Sequence, residues 1–366
     1  MDAKRVIVNA APSRYIQKPA LLRELGKWCK PLCQGGGVLV ICAPHVMKEQ
    51  SAAIKAGFTR SGLLAELEPF GGECSNSEIS RLRNVFMKNH CTMVVGIGGG
   101  KVLDTAKAVA HFAQCPLAVA PTAASSDAPC SALSVLYTDD GKLDRYLPLD
   151  QNPQLVLADS TVISEAPPRL LVAGMGDALS TWYEAKACML SGAETSAGGS
   201  CGAAALALAR GCRDILFTSG EKALEDVRAG RLTNAVERVI EVNLYLSGLG
   251  FESGGLAAAH AVSNGFAELG ACPSVMHGEL VAFGTLVQLA LEKDQAELLN
   301  VFNFCKAVGL PTSLEALGCA GLGEELLLLA AEKACAEKNT MANMPFAVTP
   351  EDVCRAIITV DRLNAI

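Results

Sequence analysis

The sequence lacks several features that would restrict its class at once. No apolar run reaches the roughly 18 uncharged residues of a membrane span, and no cluster of basic residues suggests a nucleic-acid partner. Only 19% of the 366 residues are charged, whereas 50% are hydrophobic, so the chain can bury large cores and does not have the composition of a disordered protein. Its length predicts two domains.

Cysteine is frequent, with 15 residues, but the patterns that give cysteine a special role are missing. No C-x-x-C pair is present, so a cysteine-based zinc module is not indicated. The N-terminus has no long apolar segment of the secretory type, so we expect a cytoplasmic chain whose cysteines stay reduced. Most cysteines lie among Ala, Val and Leu, which is typical of small buried residues. We expect Cys130, in a polar loop described below, to be the thiol most sensitive to oxidation.

The hydrophobic pattern changes near Pro167 and Pro168. Before this point, apolar strand-like runs alternate with amphipathic helical segments, which predicts an α/β domain with a mostly parallel sheet. The strand-like runs include residues 5–9, 38–42, 92–96 and 116–120, and residues 134–137 and 143–147 flank the Asp-Asp-Gly turn of a β-hairpin. After this point only helical stretches follow. We therefore predict an α/β domain over residues 1–166 and an all-helical domain over 167–366, with the active site in the cleft between them.

A glycine-rich turn, residues 96–101 (Gly-Ile-Gly-Gly-Gly-Lys), follows one predicted strand and precedes a helix. Glycine lets the backbone approach a phosphate closely, and the free N–H groups at a helix start attract anions. The pattern is neither a Walker loop nor a good G-x-G-x-x-G motif, because Lys stands at position 101. A phosphate-binding loop and a simple strand–helix turn are both compatible with it.

A second polar loop, residues 121–131, begins where the next predicted strand ends. Because parallel sheets bind ligands at the carboxyl ends of their strands, we expect it to lie beside the glycine-rich turn. It offers several hydroxyl groups and one carboxylate, Asp127. An ordinary hydroxyl-rich turn, with Asp127 as a helix cap, explains the same residues.

Histidine is scarce, and two of the five histidines, His260 and His277, lie in nearly uncharged parts of the helical half. The sequence around Asp177 suggests the start of an apolar helix. One carboxylate and two imidazoles match a catalytic zinc site with a position left for substrate. In the alternative interpretation, Asp177 is a helix N-cap and both histidines are core residues.

Five ordered segments, spread over nearly the whole chain, resemble the iron-containing (group III) alcohol dehydrogenase superfamily and, within it, the glycerol dehydrogenase family. The segments are residues 96–107 (GIGGGKVLDTAK), 121–138 (PTAASSDAPCSALSVLYT), 174–178 (GMGDA), 250–261 (GFESGGLAAAHA) and 277–285 (HGELVAFGT). The resemblance implies an α/β dinucleotide-binding domain followed by an all-α metal-binding domain, as in the dehydroquinate-synthase-like architecture.

The resemblance also implies roles for individual residues. Asp177, His260 and His277 match the protein ligands of a divalent metal, zinc in glycerol dehydrogenases, through which catalysis would run. Asp127 matches a carboxylate that contacts and orients the substrate. The positions that match dinucleotide contacts are Gly98, Gly99, Gly100, Lys101, Asp104, Thr122, Ser125, Ser131, Leu133 and Tyr137.

The implied reaction is the oxidation of glycerol to dihydroxyacetone, with hydride transfer from C2 to NAD, in a homo-oligomer that is often an octamer in this family. The alternatives are an NAD(P)-dependent dehydrogenase of another small diol or hydroxy acid, a dehydroquinate-synthase-like lyase, and a non-catalytic binding protein. Two positions depart from the family pattern. Ala43 stands where an acidic residue usually binds the adenosine ribose, so NADP is not excluded. Ser263 stands where relatives often carry His, which leaves the substrate range open.

Overall fold

The computed structural model describes residues 5–270 and 272–363, which group into two compact units. The α/β unit comprises residues 11–124 and 128–166. The helical unit comprises residues 5–10, residues 125–127 and the described residues from 167 onward. The chain therefore leaves the α/β unit for three residues, 125–127, before it returns.

The α/β unit contains eight strands, two of which form a separate hairpin. They are β1 (Arg14–Lys18), β2 (Gly37–Cys42), β3 (Ala65–Pro69), β4 (Cys91–Gly98), β5 (Leu117–Pro121), β6 (Leu133–Tyr137), β7 (Leu143–Pro148) and β8 (Leu155–Asp159). The main sheet has the order β1-β8-β5-β4-β2-β3, and all its neighbouring strands are parallel. Its central strands β5 and β8 are fully buried, which explains their continuous apolar sequences. Strands β6 and β7 pair antiparallel. The predicted parallel sheet and the predicted hairpin are both confirmed.

Four helices connect successive strands of the sheet: α1 (Leu25–Cys29), α2 (Pro44–Arg60), α3 (Asn76–Lys88) and α4 (Gly100–Ala113). A parallel pair of strands needs such a crossover, because the chain must return to the same end of the sheet before the next strand. A fifth helix, α5 (Ser160–Glu165), follows the last strand, β8.

One predicted strand is wrong. Residues 5–9 do not join the sheet: Ile7 makes a single bridge to Ser200, and Val6 and Ile7 are more than half exposed. The edge strand is instead β1, whose sequence is largely polar. Residues 5–9 belong to the helical unit, where the Ser200 N–H donates to Val6 O. Ser200 forms only isolated bridges among the described residues, so the pairing does not extend into a strand. An apolar run favours an extended backbone but does not choose its partner.

Within its described residues, the helical unit is built from nine longer helices. They are α6 (Pro168–Ser191), α7 (Ala203–Arg228), α8 (Asn234–Glu241), α9 (Ser247–Gly254), α10 (Ala258–Leu269), α11 (His277–Glu292), α12 (Gln295–Val308), α13 (Glu324–Ala334) and α14 (Pro350–Arg362). Most residues of α6 and α11 are buried, as expected from helices that are apolar on all sides. None of the helices in the described ranges combines the length and apolar character that a membrane-spanning segment requires.

All 15 cysteines lie in the described part of the chain, and most are buried, as predicted. The expectation that every cysteine stays reduced is wrong for Cys272 and Cys319, which form a disulfide with a Cα–Cα distance of 6.3 Å. They are 47 residues apart in sequence, so tertiary folding rather than local spacing pairs them. The expectation for Cys130 is also wrong, because this side chain is fully buried and out of reach of oxidants.

Candidate active site

Helices α6 and α11 cross in direct backbone contact, and this crossing positions two of the predicted metal ligands. A Cβ atom on Gly176 would lie 2.3 Å from Gly278 O, and one on Gly278 would lie 1.9 Å from Ala173 O. Only glycine permits such a close approach. The next residue after Gly176 is Asp177, and the residue before Gly278 is His277, so the crossing brings these two side chains together.

The third predicted ligand, His260, lies in the first turn of α10. Asp177 Oδ1 is 3.6 Å from His260 Nε2 and 3.5 Å from His277 Nε2. Two atoms bound to one tetrahedral zinc ion, each about 2.1 Å from it, are about 3.4 Å apart. The structure thus brings the three residues together at the spacing of a metal site. Three protein ligands leave a fourth position for water or substrate.

The charge distribution around Asp177 also fits a cation. The carboxylate is 1% exposed, and its Oδ1 has no hydrogen-bond partner among the described residues. Burial raises the pKa of Asp177, but His277 and His260 outweigh it and hold this pKa below its usual value. A buried, ionised oxygen without a hydrogen bond is costly unless a cation neutralises it. The set of one carboxylate and two imidazoles suits Zn²⁺ and also Fe²⁺.

The position of Asp177 within α6 excludes its interpretation as a helix cap. Asp177 lies in the middle of α6, which begins at Pro168, so the interpretation of Asp177 as an N-cap is wrong. The glycines before it look like a helix start, but they serve the crossing with α11. The side chain of His277 is 52% exposed, so the cluster is accessible from solvent. The other three histidines lie in the α/β unit, at positions 45, 90 and 111.

Asp127 lies beside the ligand cluster. Its backbone N–H donates to Asp177 Oδ2 at 3.2 Å, and Ser247 Oγ donates to Asp127 Oδ2 at 2.7 Å. Ser247 begins α9 directly after a π-helical turn, Val242–Leu246, and its Oγ is 2.9 Å from Thr181 Oγ1. Burial and the charge of Asp177 raise the pKa of Asp127 well above its usual value. The structure therefore holds a second carboxyl group next to the cluster of Asp177, His260 and His277.

The glycine-rich turn lies at the carboxyl end of β4 in the α/β unit. Gly98 ends the strand, Gly99 precedes α4 and Gly100 begins it. A Cβ atom on Gly98 would lie 2.7 Å from Val102 Cγ2, so packing requires glycine there, whereas the space beside Gly99 and Gly100 is open. An open backbone at a helix N-terminus is the arrangement that binds phosphate groups.

The second polar loop lies beside the first, as predicted. The Thr122 N–H donates to Gly98 O at 3.0 Å, which joins the ends of β5 and β4. Thr122 and Ser131 are buried, and Ser131 precedes the hairpin strand β6, which contains Leu133 and Tyr137. These four predicted contacts therefore belong to the α/β unit, whereas Ser125 belongs to the helical unit.

Two other predicted nucleotide contacts have protein partners. The ammonium group of Lys101 pairs with the carboxylate of Glu73 and lies 5.2 Å from the ring centroid of Tyr137. Asp104 is buried and accepts a hydrogen bond from the Val135 N–H, which holds α4 against the hairpin. Burial raises the pKa of Asp104 to about 6.

Comparison with known proteins identifies the family. The model of the iron-containing alcohol dehydrogenase family matches residues 12–160. A glycerol dehydrogenase of Escherichia coli O6:H1 is 49% identical and aligns over 96% of this chain and 96% of its own length. The chain belongs to the iron-containing alcohol dehydrogenase family.

Solved structures agree with this assignment. A probable glycerol dehydrogenase from Sinorhizobium meliloti 1021 superposes with a TM-score of 0.91 at 40% identity, covering 99% of this chain and 100% of that one. The glycerol dehydrogenase of Schizosaccharomyces pombe superposes with a TM-score of 0.94 at 35% identity, covering 99% and 92%. The family resemblance and the fold predicted from the sequence are confirmed, and this member of the family is an oxidoreductase.

Two buried residues that contact the candidate site of this alcohol dehydrogenase family member escaped prediction from the sequence. Lys107 is buried in α4, and its Nζ donates to Ala128 O at 2.6 Å and Leu133 O at 2.9 Å, which fixes the second polar loop. Glu184 is buried in α6, and its Oε2 lies 2.6 Å from His260 Nδ1. A signal for Glu184 existed, because it follows Asp177 by two helical turns and so lies on the same face of the helix.

The two positions that we expect to depart from the family pattern, Ala43 and Ser263, occupy distinct places. Ala43 directly follows β2 and is 5% exposed, and a Cβ atom on Gly98 would lie 3.1 Å from Ala43 Cβ. It therefore lies next to the glycine-rich turn, where its methyl group neither accepts a hydrogen bond from a ribose nor repels a phosphate. Ser263 is 1% exposed in α10, and its Oγ has no hydrogen-bond partner among the described residues.

Proposed function

We propose that this protein oxidises glycerol to dihydroxyacetone, using NAD and one divalent metal ion held by Asp177, His260 and His277. The observation that carries the proposal is the cluster of these three side chains around the unpartnered Asp177 Oδ1. The 49% identity to a glycerol dehydrogenase over nearly the full length supports the choice of substrate.

The helical unit is proposed to bind the metal and the substrate. When bound, the ion supplies Lewis acidity toward a coordinated hydroxyl group, and the nicotinamide ring accepts a hydride. Asp177, His260 and His277 hold the ion, and the partial exposure of His277 gives substrate access to it. Asp127, fixed by Ser247, orients a hydroxyl group of the polyol.

The α/β unit is proposed to bind the dinucleotide. The open backbone at Gly99 and Gly100 would hold the pyrophosphate, with Thr122, Ser131, Leu133 and Tyr137 beside it. The proposed dinucleotide contacts also include Gly98, Lys101, Asp104 and Ser125. Because Ala43 supplies neither attraction to a 2′-hydroxyl nor repulsion of a 2′-phosphate, we expect NAD to be used with only weak discrimination against NADP.

Zinc is the proposed metal, and the coordinating atoms alone do not distinguish it from Fe²⁺. Elemental analysis of the purified protein decides between them. We also predict that the protein forms a homo-oligomer, up to an octamer, and is located in the cytoplasm. Sedimentation analysis of the purified protein tests the oligomeric state.

The reaction is tested by a steady-state assay on chelator-stripped protein reloaded with Zn²⁺ or Fe²⁺. We expect NADH formation from glycerol with the reloaded protein and none after stripping. His277→Ala should abolish both tight metal binding and turnover. The matched control is His90→Asn, because His90 is exposed, lies outside the cluster and has a positive φ of 49° that Asn tolerates.

Two results contradict the proposal in different ways. Turnover by stripped protein, or by His277→Ala, would show that the cluster does not hold a catalytic metal. Turnover of another small diol or of a 2-hydroxy acid, without turnover of glycerol, would keep the dehydrogenase chemistry and replace the substrate.

A further inference from the structure

We propose that Glu184 is a positioning residue that fixes the ring of His260 for metal binding, an inference that rests on the metal site proposed above. Glu184 is fully buried in α6, two helical turns after Asp177. Its Oε2 lies 2.6 Å from His260 Nδ1, while His260 Nε2 faces Asp177 Oδ1 at 3.6 Å. A neutral imidazole that binds a metal through Nε2 carries its proton on Nδ1. Glu184 accepts that proton in a hydrogen bond and so selects the tautomer that exposes the Nε2 lone pair.

The same carboxylate also fixes the backbone of His260. Glu184 Oε1 accepts hydrogen bonds from the N–H groups of Ala257, at 2.7 Å, and of His260, at 2.9 Å. Both groups lie at the start of α10, where N–H groups have no partner within the helix and where the N-cap residue, Ala257, has no side chain able to supply one. One side chain therefore holds both the backbone and the ring of His260, which restricts the direction of Nε2.

The chemistry of Glu184 indicates more than packing. A carboxylate that is removed from water is costly unless hydrogen bonds compensate it, and an apolar side chain would fill the same space without this cost. Two backbone N–H groups donate to Glu184, and its second carboxylate oxygen lies against ring atom Nδ1 of His260. The carboxylate is thus directed at a metal ligand from the side opposite to the proposed ion.

The variant Glu184→Gln separates the ring contact from the helix start. Glutamine keeps the size of the side chain and one oxygen for the two backbone N–H groups, but it places an amide NH₂ against His260 Nδ1. The ring must then accept at Nδ1 and carry its proton on Nε2, the atom needed for the metal. We expect zinc to bind roughly 10- to 100-fold more weakly, while the melting temperature of the metal-free protein stays close to that of the wild type.

The matched control is Gln288→Met. Gln288 Oε1 accepts the Ala259 N–H at 3.1 Å, so it also supports the start of α10 but makes no hydrogen bond to the His260 ring. This variant removes one acceptor from the helix start and retains the contact of Glu184 with the ring. We expect a lower melting temperature and unchanged zinc affinity.

The experiment titrates Zn²⁺ into chelator-stripped protein in competition with a chromophoric chelator, for the wild type and both variants. Zinc binding by the wild type, weakened in Glu184→Gln and unchanged in Gln288→Met, supports the inference. Wild-type affinity in Glu184→Gln, or an equal loss in Gln288→Met, overturns it and leaves the proposed function intact. Absence of zinc binding by the wild type overturns both.

A second measurement does not depend on the folding of any variant. In zinc-loaded wild-type protein with ¹⁵N-labelled histidine rings, nuclear magnetic resonance reports which ring nitrogen carries the proton. We expect a proton on Nδ1 of His260, and a proton on Nε2 would overturn the inference.

Discussion

The crossing of α6 and α11 at Gly278 gives a quantitative prediction for the metal site. In Gly278→Ala the new Cβ atom would lie 1.9 Å from Ala173 O, whereas ordinary contacts begin at 3.4 Å. The two backbones would have to separate by about 1.5 Å, because the obstacle is a helix backbone and not a flexible side chain. Overpacking of this kind costs roughly 1–3 kcal/mol of folding free energy.

The separation acts directly on two metal ligands. Asp177 Oδ1 and His277 Nε2 are 3.5 Å apart, and a displacement of about 1.5 Å along the line between them would increase this distance to about 5 Å. Two atoms that are each about 2.1 Å from one ion cannot be more than about 4.2 Å apart. At least one of the two ligands is then lost, and we expect zinc affinity to fall by more than about 100-fold, beyond the usual effect of an indirect contact.

The assay is a chelator competition with Zn²⁺, together with thermal unfolding of the metal-free protein. Gly321→Ala is the matched control, because the space around Gly321 is open and its φ does not favour glycine. We expect the control to bind zinc and unfold like the wild type. Wild-type zinc affinity in Gly278→Ala would refute the reasoning that this backbone contact sets the distance between the ligands.

Three further predictions concern stability and the nucleotide loop. Burial raises the pKa of the folded Asp104 carboxyl to about 6, so its ionisation destabilises the folded protein as pH rises from about 4 to 7. Asp104→Asn should therefore stabilise the protein at pH 7–8 by up to about 3 kcal/mol and have little effect near pH 4. Cys319→Ser should lower the free energy of unfolding by up to about 4 kcal/mol, since the bond to Cys272 closes a loop spanning 47 residues. Lys107→Met should lower the free energy of unfolding by roughly 1–3 kcal/mol. It should also raise the KM for the dinucleotide more than it lowers kcat, because the loop that contains Ser131 loses its hydrogen bond from Lys107.

A specific result would refute each of these three predictions. If denaturant titrations show that Asp104→Asn changes the free energy of unfolding equally at every pH, the ionisation of Asp104 does not destabilise the folded protein. Thiol titration in denaturant should find 13 free thiols before reduction and 15 after it, and 15 before reduction would exclude the disulfide. An unchanged KM in Lys107→Met would limit Lys107 to a role in stability.

Local patterns in the sequence were sufficient for much of the fold. Apolar strands between amphipathic helices indicated the parallel sheet, and Asp139-Asp140-Gly141 between two strand-like runs indicated the hairpin. Both signals are short-range, since they depend on the side-chain period and on turn geometry. The same kind of signal failed for residues 5–9, because an extended segment has no fixed place until a partner strand is available.

The candidate site was only partly readable in the same way. The residue types of Asp177, His260 and His277 suggested a metal, but their convergence depends on a helix crossing that no local pattern encodes. The place of Asp177 within its helix was misjudged for that reason. Glu184 was overlooked, because an acidic residue in a helix usually faces solvent and only packing shows that this one is buried.

The sequence by itself determined most of the secondary structure, the two open glycines before and at the start of α4, and the chemical types available for catalysis, because these follow from neighbours along the chain. Tertiary structure decided the 3.5 and 3.6 Å spacings around Asp177, the contact of Glu184 with His260, and the pairing of Cys272 with Cys319. Each of these joins residues from different segments. Their distances are set by how closely backbones and side chains pack, and that is fixed only when the whole unit folds.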